Sequence, residues 1–305
     1  MPTTSTGWTI VNAGTEQTPA AWGISTPVRT LISQGQDELT FKASSANVDS
    51  TPAFAYQSTV TLYRNRTITN TGGVLTYSGG TIWFVGLIIQ TPRAGAAGDE
   101  GLAYKAVGPW WYLDNIVFQQ TYKNVYLGTF SGTPTFGNKT SSHVFLGQGF
   151  SVSAPYWGKI TSGAQIIEAL NWALAPFSSG APFQIGTIGP ALDIPIDEVR
   201  DITCAEVIRK MLRWSPDAVT WFDYTTSPPT FNCVQKASLT AVNLALSGGI
   251  VENLTLNPRY DIQRAGVQIY YEQTGTVNGQ AALSVYLDQY PATLPSSAIS
   301  QFSLL

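Results

Sequence analysis

The chain has 305 residues, a formal net charge of −3, 44% hydrophobic residues and only 11% charged residues, against a usual charged share of about 25%. That length fits one large or two modest domains, the 12% of aromatic residues argues against disorder, and the lack of a basic face excludes a dedicated nucleic-acid binder. The longest apolar stretch, Ile82 to Ile89, is too short for a helix crossing a bilayer of about 30 Å, no secretory leader is expected, and Cys204 and Cys233 alone make no disulfide framework.

Residues 1–27 read as an irregular arm broken by Gly7, Gly14, Pro19, Gly23 and Pro27, with Trp8 and Trp22 as anchors onto another surface. From Val28 the pattern turns strand-like. Residues 38–42 and 59–63 alternate polar and apolar, as half-buried strands do, with Val60 and Leu62 on one face. The stretch 67–80 is rich in Thr, Gly and Ser and reads as a loop or hairpin. Residues 81–90 are apolar on both faces, which marks a central strand, and Gly86 within them allows a bulge or a close backbone approach. A short strand follows around Leu102–Val107.

Gly108-Pro109 punctuates the chain. Pro109 at a first helical position and Leu113, Ile116 and Val117 at helical spacing predict a short helix over 109–120. Ser162 and Gln165 have capping-box spacing ahead of a stripe of Ile166, Ile167, Leu170 and Leu174, which Pro176 ends. A second capping box, Thr203 to Glu206, opens the clearest helix, whose stripe is Cys204, Val207, Ile208, Met211 and Leu212. Residues 219–224 and 230–234 form a hairpin across the turn chemistry of Thr225–Pro229. Further strands are expected at 250–256, 265–271 and 282–287. The fold class is mainly β with a few short helices, an α+β chain.

Catalytic constellations are weak. His143 is the one histidine and stands without a Gly-x-Ser-x-Gly elbow. One His and two distant Cys supply no zinc site, and no phosphate-binding glycine loop is present. Asp193, Asp197, Glu198 and Asp201 are the candidates for an acid pair in glycoside hydrolysis, but acids ahead of a helix N-terminus have a simpler electrostatic reason. Trp110, Trp111 and Tyr112 fit either a sugar-stacking platform or a buried joint. A glycan hydrolase and a carbohydrate- or receptor-binding module therefore remain as alternatives. No cofactor, metal or catalytic residue is assigned.

The order of elements carries more than any one residue. Trp83-Phe84-Val85-Gly86 lies in a central strand, and Gly108-Pro109-Trp110-Trp111-Tyr112-Leu113 makes a tight exit. The helix at 162–175, the helix-plus-hairpin from Thr203 to Val234 and a return strand near Gly266–Tyr271 follow. In this order residues 28–272 resemble the tail hub proteins of bacteriophages, the family of the late control D protein and the hub part of type VI secretion spikes. The resemblance implies a β-barrel-like hub with a helix-containing insert. Its parts would be an arm at 1–27, a first barrel at 28–107, a helix-containing second domain at 108–248, and returning strands with a tail at 249–305. It implies a non-catalytic homotrimeric ring in the virion tail, assembled in the bacterial cytoplasm, that joins tail tube to tip or spike proteins and passes DNA without specific contact. In that frame Phe84, Val85 and Gly86 would build the barrel, and Trp110, Trp111 and Leu113 the joint to the insert. Val207, Ile208, Met211 and Leu212 would pack against the hairpin at Trp221 and Phe222. Family members often continue into further domains, whereas this sequence stops soon after the return strand, so a short hub or one part of a split or longer protein is expected.

Overall fold

The computed structural model describes residues 2–25, 27–44, 53–91, 101–126, 136–151, 154–239, 267–277 and 280–290. They fall into two compact units, Met1–Thr240 and Ala241–Leu305, so the expected break at 107/108 lies inside the first unit.

The first unit opens with eight strands: β1 (Thr3–Asn12), β2 (Thr15–Gln17), β3 (Val28–Thr30), β4 (Glu38–Ser44), β5 (Thr59–Thr71), β6 (Val74–Ser78), β7 (Thr81–Gln90) and β8 (Gly101–Val107). They form one antiparallel sheet in the order β2-β1-β5-β7-β8-β4-β3, with β6 added to β5. The alternation seen in the sequence sets the register. Val60 pairs with Gly86 and Leu62 with Phe84, and both β5 residues turn inward with Ile10, Leu39, Phe41 and Tyr104. Phe54 plugs this interior, with its ring 5.1 Å from Phe41 and 5.2 Å from Tyr104 and Trp22. Burying each such ring contributes about 2–3 kcal/mol relative to leaving it in water.

Two expectations are corrected here. Residues 1–27 are not an irregular arm: β1 pairs with β5 from Thr3↔Asn70 to Asn12↔Val60, and Trp22 packs on Phe54 while its Nε1 donates to the Ile10 carbonyl at 3.1 Å. The β-barrel expected over 28–107 is an open sheet among the described residues. Closure needs the end strands to share a ladder, and β2 and β3 have three residues each. The intervening segment turns instead, through bonds such as Ile24 N to Pro19 O at 2.7 Å.

A helix-containing part follows, with α1 (Trp110–Asn115), β9 (Gln120–Tyr126), β10 (Phe136–Ser141), β11 (His143–Leu146), β12 (Gln148–Ser151) and β13 (Ala154–Lys159). After these come α2 (Ser162–Leu174), β14 (Gln184–Ile188), β15 (Asp197–Arg200), α3 (Cys204–Leu212), β16 (Ala218–Asp223) and β17 (Thr230–Gln235). The order β14-β17-β16 makes a small mixed sheet, and β11 pairs with β15. The sheet interior and the helices α1, α2 and α3 share one continuous apolar core.

Helix α1 is shorter than predicted because Ile116–Phe118 takes strand partners instead. Cys204 N donates to Ile116 O, Phe118 N donates to Ile202 O, and Val117 bridges to Thr203. The cap of α2 is Thr161 rather than Ser162, its hydroxyl accepting from Ala164 N at 3.3 Å. The box at α3 is complete: Thr203 Oγ1 accepts from Glu206 N, and Glu206 Oε2 accepts from Thr203 N. In the second unit, β18 (Val267–Val277) and β19 (Gln280–Tyr290) form an antiparallel hairpin. The strand expected at 250–256 lies outside the described residues.

Candidate functional site

Strand β5 carries the feature that sets this fold apart from a simple packed sheet. Its first half pairs with β7 up to Arg64, and its second half pairs with β6 from Thr67 to Thr71. Beyond Arg64 the sheet therefore narrows to a three-stranded ribbon of Thr3–Gly7, Thr67–Thr71 and Val74–Ser78. Gly72 and Gly73 take φ of +62° and +91°, the left-handed pair that a two-residue hairpin turn requires. Residues 3–6 and 74–76 are exposed, as are both Asn70 and Thr71. No residue of Thr3–Gly7 or Thr67–Ser78 is charged. Among the described residues the outer edges of β6 and of β1 over Thr3–Thr9 have no ladder partner.

The ribbon is stapled at its root. Arg66 Nε and Nη2 donate to the two Glu16 carboxylate oxygens at 2.8 and 3.0 Å, and Arg66 also lies 4.4 Å over the Tyr63 ring. Burial pushes the Glu16 carboxyl up, but bonds from Arg66 and Thr9 and the guanidinium charge outweigh it and hold the carboxyl below its ordinary value.

At the other half of β5, an uncharged groove of about 380 Å³ opens between the sheet, the start of α1 and two proline-bearing loops. Tyr63, Val85, Pro109, Tyr112, Pro182 and Pro228 are among its walls, and no lining residue carries a formal charge.

The residues singled out from the sequence fall as follows. Phe84 is fully buried and stacks on Tyr224 at 5.5 Å, whereas Val85 faces the groove. Gly86 is obligatory: a Cβ there would stand 2.2 Å from Val107 O and 2.7 Å from the Phe84 ring. Trp110 and Leu113 are buried, with Trp110 6.1 Å from Phe231; Trp111 is only half-buried and meets Tyr112 edge-on. Val207, Ile208, Met211 and Leu212 are buried on α3, and Phe222 packs on Phe183 and Phe231. Trp221 points the other way and is 38% exposed, as strand alternation requires beside an inward Phe222.

Sequence reasoning missed the clasp between sheet and hairpin. Asp37 is buried, its Oδ2 accepting from Tyr224 Oη at 2.7 Å and its Oδ1 from Ile32 N at 2.8 Å. Burial raises its carboxyl, with those two bonds and the Arg29 charge opposing. Gly108 fits because a Cβ would meet Tyr224 Oη at 2.3 Å. The loop ahead of Asp37 reaches the same hairpin through Gln34 N to Thr220 Oγ1 at 2.8 Å, and α3 through Arg209 Nε to Gln34 O at 3.0 Å. The signal was long-range, so no local pattern could have shown it.

The carboxylates of Asp197 and Glu198 do not converge. Neighbours on β15 face opposite sides, so Asp197 pairs with Lys210 at 2.7 Å while Glu198 pairs with His143 at 2.5 Å. Asp201 accepts from Ser142 Oγ at 2.7 Å. Asp197 thus meets the last turn of α3, not its N-terminus, where Glu206 is the acid of the first turn. His143 lies at the start of strand β11. Glu168, not singled out before, is pushed up to about 7 by burial, with bonds from Gln165 and Gln120 opposing. Its oxygen accepts from Gln165 Nε2 at 3.1 Å. Among the described residues no three His, Cys, Asp or Glu side chains are grouped to hold a metal ion, and no helix is long and apolar enough to cross a membrane.

Several solved structures are similar in outline. The 43 kDa tail protein of prophage MuSo2 from Shewanella oneidensis has a TM-score of 0.36 and 8% identity, over 76% of this chain and 56% of that one. The tail protein from Neisseria meningitidis MC58 has a TM-score of 0.36 and 10% identity, over 75% and 51%. The E. coli c3393 protein, described as a type VI secretion component with structural similarity to T4 bacteriophage tail proteins gp27 and gp5, has a TM-score of 0.32 and 10% identity, over 79% and 49%. The chain spans about half the length of these proteins. No family model matches the sequence, and no curated protein matches it.

Proposed function

We propose that this protein is a structural subunit of a phage tail or tail-like particle, and that it works as a hub: a trimeric ring joining the tail tube to the tip. The observation that carries the reading is the uncharged ribbon with two open edges. Isolated proteins usually blunt such edges with charges, prolines or a covering element, because free backbone donors and acceptors recruit further strands. Here neither edge carries a charge, so neighbours in an assembly are the natural cover. The strand Trp83–Gly86 and the capped helix-plus-hairpin Thr203–Val234, on which the resemblance to tail hubs rests, are both formed. The role needs binding and shape, not bond breaking. In the ring, DNA would pass without specific grip, since phosphate binding takes clustered Lys and Arg, and the partners would be tail tube and tip proteins in the virion.

Negative-stain electron microscopy of the purified chain tests this. Rings with three-fold symmetry are expected. Featureless single-chain particles, together with turnover of a cell-wall or capsule polysaccharide, would overturn it.

A further inference from the structure

The ribbon tip and the uncharged groove lie on the same strand, at opposite ends. The tip exposes Val74 and Leu75, 65% and 41% accessible, beside the Gly72-Gly73 turn. The groove, walled by Tyr63, Val85, Tyr112 and four prolines (Pro109, Pro182, Pro228 and Pro229), is open and has no charge to match. We propose that the β5–β6 tip of one copy inserts end-on into the groove of a second copy, so that each chain offers one knob and one hole.

The occupant follows from three observations. The groove is not filled by its own tip: Thr61 in the groove and Thr71 at the turn stand ten residues apart on β5, a span of up to roughly 30 Å at the rise of a β-strand, reduced by the irregularity at Leu62/Tyr63. The tip and the groove match in charge, since neither Thr67–Ser78 nor any groove wall carries one, and a charged ligand would find no counter-charge there. At about 380 Å³ the groove falls within the range of ordinary binding cavities, with room for two aliphatic side chains. The contact joins different surfaces on the two copies, and such head-to-tail contacts repeat until they close into a ring. The inference rests on the assembly reading above and names the surfaces that meet.

Cysteine cross-linking tests it on the full chain. The native Cys204 and Cys233 are both buried, so the background is low. Copies carrying Leu75→Cys are mixed with copies carrying Ala181→Cys, a groove-lining position, under mild oxidation. A disulfide forms only when Cα atoms come within about 7 Å, so a cross-linked dimer is expected in the mixture and in neither single variant. A second arm uses Val74→Asp with Leu75→Asp, whose exposed sites leave folding intact, and at least a tenfold weaker self-association is expected. An oligomer of unchanged mass in that double variant, with no mixed cross-link, overturns the knob-and-groove contact while leaving the assembly reading in place. A wild-type chain that is monomeric at every concentration overturns both.

Discussion

At Gly86 the backbone of β8 comes so close that a single added carbon would overlap Val107 O. Replacing Gly86 with Val is expected to cost about 3 kcal/mol or more, because two strands and the Phe84 ring would have to separate; urea unfolding reads the loss, and an unchanged midpoint would refute the close-approach argument. Glu168 makes a prediction with a definite sign. Its carboxyl is near 4.5 in the unfolded chain and about 7 when folded, so the folded state binds the extra proton between those values. Stability should therefore be intact below about pH 4.5 and decline as pH rises through about 7, by up to about 3 kcal/mol. Glu168→Gln should remove that part of the decline, which unfolding curves at pH 5 and pH 8 would show. Asp37 acts in the same direction, and Glu16 in the opposite one. At this scale the sequence foretold Gly86 as a tight spot but gave no sign of Asp37–Tyr224, since partners 187 positions apart leave no local pattern.

Among elements, legibility followed burial. Helix α3 was fully readable because its cap and its apolar stripe are both local. Helix α1 was overestimated because residues 116–118 pair with 202–204, a tertiary choice that overrides their helical spacing. Strand β1 was missed for the opposite reason. Alternation reports a difference between two faces, and Thr3–Thr6 is exposed on both, so only the β-branched composition remained as a sign. The same exposure makes the ribbon depend on its root. Arg66→Ala should let it fray: amide exchange over Thr67–Ser78 is expected to rise while the β7–β8 pairing keeps its protection. Equal protection before and after the change would show that the Arg66–Glu16 staple does not hold the ribbon.

For the whole molecule, the mainly β class with short helices was evident from composition and pattern, while the described residues of 28–107 form an open sheet and not the closed barrel expected there. Closure depends on the last two strands meeting, and three-residue strands at both ends of the sheet leave the path open. Among the described residues, the open path and the unpaired ribbon edges have the same consequence, which is backbone and apolar surface left for neighbours. Self-assembly is thus the claim on which the account stands. The native mass of the full chain at increasing concentration tests it most directly. The account predicts a species of three chains that persists on dilution; a single chain at every concentration would contradict it.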